Sequence, residues 1–399
     1  MDHQSCDILV SGGGIAGMTA AAAFGSAGFK VICVDPAPPV TERDTVGADM
    51  RSTALLQPAR ALLDTAGIWE RLAPHASDLQ VMRIVDAGGE TAEPRIVKDF
   101  NAVDVSDLPF GWNFPNWLLR REMLDRLAEL PNVDFRSGTG TSTLFTRERE
   151  ARVRLTDGSR VAARLVIAAD GRGSPMREAA GIAVRTTRYG QKALAFAVTH
   201  DIPHENISTE IHRTGGPFTL VPLPDHEGRP SSAVVWMDDG PLSQERYDMA
   251  VPEFETEMTE RSCGLFGPLK LASRRTIWPI ISQQAERLSS ERLALIAEAA
   301  HVVPPIGAQG LNMSLADTAC LLDLATSAPE RLGDRAMLDA YHKARHQDIA
   351  LRVRGIDLLN RASQAKTPAL RDARAVGINA LYAMAPVRKT LMQMGLGVR

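Results

Sequence analysis

Asp7-Ile-Leu-Val-Ser11 is a short apolar run that leads without a break into Gly12-Gly13-Gly14-Ile15-Ala16-Gly17. A small-residue helix is expected from Met18 to Ala27, with Gly28 as its C-terminal cap. Phe29 to Val34 is β-branched and apolar at consecutive positions, the pattern of a strand buried on both faces. Together these segments predict a βαβ unit. Thr53 to Ala73 carries apolar residues at helical spacing, and Arg121 to Leu130 repeats that pattern after the Pro115-Asn116-Trp117 turn. The period then changes. Ala151–Thr156, a turn at Asp157-Gly158, and Val161–Ala168 predict a hairpin. The alternating runs Leu194–His200, Phe218–Pro222 and Ser231–Met237, separated by Gly/Pro/Asp turns, predict a mostly antiparallel second sheet. From Leu311 onward the pattern is helical, with interruptions expected near Pro329, Pro368 and Pro386.

A chain of 399 residues is too long for one hydrophobic core, and at about 150 residues per domain it implies two or three domains. With 44% hydrophobic and 23% charged residues the composition excludes a disordered, collagen-like or coiled-coil protein. The net charge of −3 leaves no global basic field to hold nucleic acid. Cys6, Cys33, Cys263 and Cys320 lie far apart, with no CxxC and no histidine at ligand spacing, so no metal site or redox dithiol is encoded. They are expected to be buried and inert, and a reducing cytoplasm is the expected compartment. Met1-Asp2-His3-Gln4-Ser5 lacks a basic leader region, and no uninterrupted run of 18 apolar residues exists. Charge is nevertheless uneven: residues 331–399 carry 13 Lys/Arg against 5 Asp/Glu, a basic tail on an acidic body.

Gly12, Gly14 and Gly17 form a GxGxxG placed between a strand and a helix. The first glycine permits the tight turn, the second lets the backbone approach a pyrophosphate, and the third lets helix and strand pack closely. The helix N-terminus offers free N–H groups and a positive dipole end to phosphate. Asp35 ends the second strand, 23 residues after Gly12, near the spacing of about 20 expected for the acid that binds a ribose hydroxyl. Its charge would repel a 2′-phosphate, so the site suits FAD or NAD rather than NADP.

Two later segments distinguish these cofactors by resemblance. Val166-Ile-Ala-Ala-Asp170-Gly171-Arg-Gly-Ser174-Pro-Met-Arg177 is similar to the Asp-Gly motif of class A flavoprotein monooxygenases. Leu295-Ile-Ala-Glu298-Ala-Ala-His301, continuing through Pro304-Pro305-Ile-Gly307-Ala-Gln309-Gly310-Leu311-Asn312, resembles their second FAD motif. That motif usually reads Gly-Asp-Ala-Ala-His, with a downstream Pro and Gly-Gln-Gly-x-Asn. Arg51-Ser-Thr-Ala-Leu55, Arg121-Glu-Met-Leu124 and Met394-Gly-Leu396 extend the likeness toward the ubiquinone-biosynthesis hydroxylases, in the right order over nearly the whole chain.

The resemblance implies an α/β fold: a doubly wound Rossmann-like FAD domain from residues 1–75, 101–180 and 286–330, a substrate domain on a largely antiparallel sheet from 76–100 and 181–285, and a helical region over 331–399. It implies FAD held by Gly12, Gly14, Ala16, Gly17, Asp35, Arg51, Arg121, Asp170, Gly171, Glu298, Pro305, Gly307, Gly310, Leu311 and Asn312. Glu298 is expected to end a strand and face the ribityl hydroxyls, and Gly307 to Asn312 to open a helix toward the pyrimidine edge of the flavin, where reduced flavin is negative. Arg51 and Arg121 read as flavin-side cations, Arg121 at a helix start, with a solvated surface charge as the alternative for either. His301 reads as a packing and hydrogen-bonding residue beneath the flavin, and Trp112, Phe114 and Trp117 as core or interdomain packing rather than a substrate box. Two departures stand out: Ala297-Glu298 replaces Gly-Asp, and Asp35 stands where Glu is commoner.

The implied activity is NAD(P)H- and FAD-dependent hydroxylation of an electron-rich aromatic ring through a flavin hydroperoxide formed with O₂. No Ser/His/Asp, Cys/His or metal constellation is present, and no side chain is singled out as catalytic, because the flavin carries the chemistry. Candidate pocket residues on the second sheet are Phe196, Val198, Phe218, Leu220, Pro222 and Trp236, with sheet-core packing as the competing role for each. The implied substrate is a lipophilic polyprenylated phenol, with peripheral membrane contact or a biosynthetic complex as the means of reaching it. A hydroxylase of a soluble aromatic compound, and a catalytically silent flavin-binding assembly subunit, remain open alternatives.

Overall fold

His3–Ser11 is the central strand of a largely parallel sheet, flanked by Val31–Asp35 on one side and Arg160–Ala168 on the other. Its Ile8, Leu9 and Val10 are wholly buried, as the run of consecutive apolar residues requires. The computed structural model describes residues 3–396, so Met1 and Asp2, on which part of the N-terminal reading rests, lie outside the described residues. The sheet order is Ser289–Ser290, Leu293–Leu295, Arg160–Ala168, His3–Ser11, Val31–Asp35, Val133–Ser137. The Ile15–Ser26 helix crosses between the first two strands in sequence and buries Ala20 to Ala23 against the sheet. Gly28 ends it at φ +90°, with its N–H donating to the Gly25 carbonyl at 3.0 Å.

The second sheet is ordered His301–Val302, Thr276–Ala285, Val184–Thr199, Arg229–Asp239, Pro217–His226, Ile207–His212, Val81–Asp86, Ile96–Asn101. It is antiparallel except where Ile207–His212 runs parallel to Val81–Asp86. Its two faces go to different cores. Ala193 and Met237 join the main core under the parallel sheet. Leu194, Phe196, Val198, Phe218, Leu220 and Trp236 point the other way, into a smaller core closed by Phe254 and Met258 of the Val251–Arg261 helix. The pleat sends successive side chains to opposite faces, so five of the six pocket candidates share this dry core; the sixth, Pro222, is also buried and gives its carbonyl to Asn113. These residues therefore pack the sheet on the side turned away from the main core.

The helical reading of Thr53 to Ala73 is corrected in part. Ser52–Leu56 is a strand paired antiparallel with Gly111–Pro115, and the helix begins only at Gln57. Gly111 lies so close that a Cβ there would sit 2.4 Å from the Leu55 carbonyl oxygen, a contact with a distant segment that overrides the local spacing. Trp112 and Phe114 from that partner strand pack edge-on against Trp69 at 4.8 and 6.3 Å, in the core as expected. Cys6 and Cys33 are buried, whereas Cys263 and Cys320 are half-buried; burial raises all of these thiols above their ordinary range.

The C-terminal helices are Gln309–Ser327, Arg335–Ser363, Pro368–Ala383 and Ala385–Leu396, breaking where the prolines indicated. Arg335–Ser363 is part of the main core: Tyr341 is fully buried and donates to the Leu295 carbonyl at 2.7 Å. Pro368–Ala383 is pinned instead by charge. Arg374, 7% exposed, bonds the wholly buried Asp86 at 2.8 Å, and Arg95 bonds the other oxygen of Asp86 at 2.7 Å. Burial alone would raise the Asp86 carboxyl, but Arg95 and Arg374 together hold it below the usual carboxylate range. Arg374→Ala is expected to cost about 3 kcal/mol of stability, measured by urea denaturation, because it strips a buried carboxylate of one cation. A depressed carboxylate contributes stability that is present at neutral pH and lost as pH falls through the folded value. The gap between wild type and variant should therefore narrow in acid, and a gap independent of pH would contradict the assignment.

Candidate functional site

The glycines of the first loop have three different physical roles. At Gly12, φ is +105° and a Cβ would lie 2.3 Å from the Ala169 carbonyl oxygen, so no other residue fits. At Gly17 a Cβ would lie 1.9 Å from the Gly12 carbonyl oxygen, which fixes the helix hard against the turn. At Gly14 nothing lies within 4 Å among the described residues: the backbone faces open space at the helix N-terminus. No side chain caps that end and no acid occupies its first turn, so its N–H groups are left for a ligand. Ala16 lies in that buried first turn. Asp35 is held beside the loop, its Oδ2 accepting from Gly13 N–H at 2.6 Å and its Oδ1 from Ala37 N–H at 2.9 Å.

Asp170 follows the Arg160–Ala168 strand at the same edge of the sheet. Its Oδ2 accepts from Met176 N–H at 3.2 Å and Ser11 Oγ at 3.4 Å, while its Oδ1 is buried without a partner among the described residues. Burial pushes this carboxyl upward. A buried acceptor with no donor is costly, and a hydroxyl-rich ligand would relieve it. Gly171 next to it takes φ +84°, a conformation glycine adopts freely.

The second motif crosses from one sheet to the other. Leu293–Leu295 pairs parallel with Arg160–Ala168, and His301–Val302 pairs with Thr276–Ala285. The strand therefore ends before Glu298, which sits on the single helical turn Ala297–Ala300, a correction to the expected strand end. Glu298 is 49% exposed and lies 3.6 Å from Arg172. Arg51 grips Asp49 with bonds of 2.8 and 2.7 Å and covers the Trp278 ring at 5.5 Å. Asp49 raises its pKa first, and the charge of Glu298 adds to the effect, so Arg51 stands within electrostatic reach of Glu298. Pro305 and Gly310 are exposed beyond it, and Leu311 is half-buried.

Ala297 has φ +55° and Ala308 φ +55°, both in the left-handed region. Ala297 occupies the Gly of the Gly-Asp pattern, and Ala308 the first Gly of Gly-Gln-Gly, while Gly307 at φ +63° precedes it. The Gln309–Ser327 helix that follows has no side-chain cap, so its first N–H groups also face outward. Asn312 has its side chain committed elsewhere: Nδ2 donates to the Ala54 carbonyl at 2.7 Å and Oδ1 accepts from Leu56 N–H at 2.8 Å. It ties this helix to the Ser52–Leu56 strand.

Arg121 lies in the body of the Asn116–Ala128 helix rather than at its start, bonded to Glu122 at 3.0 Å and stacked on Trp117 at 5.5 Å. His301 gives its Nε2 to Asp317 at 2.7 Å, and Arg345 holds the other oxygen of Asp317 at 2.8 Å, all in the interior. Sequence reasoning passed over Arg177, which is 3% exposed and donates to Ala299 O at 3.0 Å and Arg172 O at 2.9 Å, so one guanidinium clasps the two motifs together. The signal was present, since Arg177 closes the Asp-Gly motif. Asp49, the partner of Arg51, carried no comparable signal.

The pattern of the family described as FAD binding domain matches residues 5–354. The chain belongs to that family. It is 31% identical over 395 residues to the ubiquinone hydroxylase UbiL of Rhodospirillum rubrum, covering 98% of this chain and 89% of the relative. It is 24% identical to the 3-demethoxyubiquinol 3-hydroxylase of Escherichia coli, over the full length of both. The p-nitrophenol 4-monooxygenase PnpA of Pseudomonas putida shares the fold, with a TM-score of 0.79 over the whole of both chains at 18% identity. The cofactor of this family is FAD, and the residues present fit it: an open cradle at Gly14, an orphaned acceptor on Asp170, and two uncapped helix N-termini.

Gly14→Val is expected to fold normally yet lose FAD, since its side chain fills the cradle, whereas Gly12→Val should fail to fold because it strikes backbone. Equal FAD content in wild type and Gly14→Val, read from flavin absorbance, would rule out this loop as the pyrophosphate site. Ala297→Gly and Ala308→Gly should each stabilise the fold by up to about 1 kcal/mol, the left-handed penalty of a Cβ less the added chain entropy of glycine. A drop in melting temperature for both would refute it.

Proposed function

We propose that this protein is an FAD-dependent monooxygenase that hydroxylates the aromatic ring of a polyprenylated phenol in ubiquinone biosynthesis, with NAD(P)H and O₂ as co-substrates. The observation that carries this reading is the likeness to ubiquinone hydroxylases along 98% of the chain, together with a mouth that presents flavin-binding groups and no competing catalytic constellation among the described residues. Bound FAD supplies the redox chemistry and the activation of O₂. The chain's own residues bind, orient and exclude water. Gly12 to Gly17 and the first helix would receive the pyrophosphate, Asp35 the adenosine ribose, and Asp170 Oδ1 and Glu298 would take hydroxyls of the ribityl chain. The uncapped Gln309–Ser327 N-terminus, entered through Gly307 and Gly310, would hold the pyrimidine edge, where its dipole favours negative charge. Arg51 stands at the same mouth, braced by Asp49.

The substrate space belongs on the face of the second sheet opposite the first candidates. Strand alternation gives that face Ala195, Ala197, Thr219, Val221 and Val235, small or apolar side chains that suit an uncharged phenol. Access for a lipophilic substrate is through the C-terminal helices. Among the described residues no helix is long and apolar enough to cross a membrane. Leu381, Met384, Val387, Leu391 and Met394 are all exposed along the last two helices. Arg374 and Arg388 are largely occupied, by Asp86 and by the Tyr382 carbonyl and ring, and Arg371 is half-buried, which leaves Lys389 as the exposed cation among the described residues of the last two helices. The apolar face therefore dominates contact with a lipid surface.

Turnover with a polyprenyl phenol should yield one hydroxylated product per NAD(P)H oxidised in the presence of O₂. Flavin that binds but never forms product would identify an assembly subunit instead. Glu298→Ala should weaken FAD by about 1–3 kcal/mol if it leaves a ribityl hydroxyl unpaired, while Glu298→Asp keeps most of the affinity. Identical affinities for all three proteins would remove Glu298 from the site. In liposome co-sedimentation, Leu391→Glu with Met394→Glu should lower binding more than added salt does, and sedimentation equal with and without vesicles would exclude direct lipid contact.

A further inference from the structure

A cavity of about 530 Å³ lies on the face of the second sheet turned away from the main core, between Trp236, the Val251–Arg261 helix and Arg371 of the Pro368–Ala383 helix. It is separate from the flavin mouth. Three side-chain atoms of its lining are buried without a hydrogen-bond partner among the described residues: Trp236 Nε1, Arg261 Nη1 and Arg371 Nε. All three are donors. Trp236 is 1% exposed and Arg261 6%, so solvent does not reach them freely.

The acids of the same wall do not serve these donors. Asp238 is bonded to Arg246 at 2.7 Å, Glu257 to Arg246 at 2.6 Å, and Glu260 to Arg213 at 3.2 Å. Arg261 donates only to carbonyls, those of Ile211 at 3.1 Å and Gly216 at 2.8 Å, and has no carboxylate in contact among the described residues. Burial pushes its guanidinium down to about 10, with Asp238 acting against that shift from a distance. A desolvated cation and two further unpaired N–H groups on residues lining one cavity, where Asp238, Glu257 and Glu260 are already paired and Glu90 is exposed and in contact with none of the three donors, ask for acceptor oxygens.

We infer that this cavity binds an oxyanion, a carboxylate or phosphate group, through Trp236 Nε1, Arg261 Nη1 and Arg371 Nε. The Arg246 guanidinium covers the Trp236 ring at 4.2 Å and brings a further cation to the same wall. The site bridges the second sheet and a C-terminal helix, and its occupant would hold that helix in place.

The test is calorimetric titration of the FAD-saturated full chain with inorganic phosphate and, separately, malonate. Saturable binding of at least one is expected, and the tighter of the two names the headgroup. Trp236→Phe keeps the ring and removes one donor, and should weaken binding about tenfold, with a comparable loss for Arg261→Gln. Unchanged FAD content reports that each variant is folded. Should Arg261→Gln not fold, Trp236→Phe decides alone. Failure of both anions to bind saturably overturns the proposal, as does binding to Trp236→Phe equal to wild type. Neither outcome touches the flavin reading, which rests on other residues.

Discussion

The contact between Gly12 and the Ala169 carbonyl is the constraint around which the site is built. Two neighbouring parallel strands end there, and their following loops approach so closely that only a hydrogen fits at Gly12. That closeness brings the first helix N-terminus, Asp35 and Asp170 to one edge of one sheet. Gly17 repeats the device one turn later by letting the helix ride on the Gly12 carbonyl. The result sets an uncapped helix N-terminus beside an unpaired buried carboxylate oxygen, an arrangement that a ligand carrying both phosphate and hydroxyl groups would satisfy.

The segment from Leu293 to Asn312 has a different task, since it must leave the parallel sheet, cross to the second sheet and return to open a helix. It does so with two alanines in the left-handed region, each costing about 1–2 kcal/mol relative to ordinary backbone. The surroundings hold this conformation. Arg177 clasps Ala299, the buried Asp317 binds both His301 and Arg345, and Asn312 anchors the far end to the Ser52–Leu56 strand. Strain at a ligand site persists where the neighbouring contacts over-determine it. Glu298 is thereby presented on a rigid turn, exposed toward Arg172 and Arg51, rather than on a strand end.

The second sheet divides its labour by face. One face meets the main core; the other carries Trp236, Phe218 and Phe196 under the Val251–Arg261 helix. The C-terminal region is divided as well. Arg335–Ser363 is structural, with Tyr341 bonded into the parallel sheet, whereas Pro368–Ala383 is held by the ion pairs of Asp372 and Arg374, Ala385–Leu396 buries Met392 and Leu396, and both leave apolar side chains exposed. Gln309, at the start of the Gln309–Ser327 helix, donates to the Gly395 carbonyl at 3.1 Å, so the last described helix reaches that N-terminus.

The local pattern was sufficient for the βαβ unit, the hairpin at Asp157-Gly158, the strands of the second sheet and the proline-delimited helices. Each of these depends on residues within a few positions of one another. The glycine loop, Asp35, Asp170 and the Glu298 segment were legible for the same reason, because their chemistry is carried by short motifs. Ser52–Leu56 was not, because its strand partner lies more than fifty residues away and its five residues alone fit either period. Nor was the direction of Phe196, Phe218 and Trp236: alternation shows that a strand has two faces, and only the packing of the Val251–Arg261 helix decides which face is dry core. The pairing of Arg374 with Asp86 was hidden in a net charge, where a buried arginine and a solvated one count alike. Sequence thus determined which elements form and which short motifs carry the site's chemistry, while tertiary structure decided orientation, burial and partner, since those depend on contacts between segments distant in the chain.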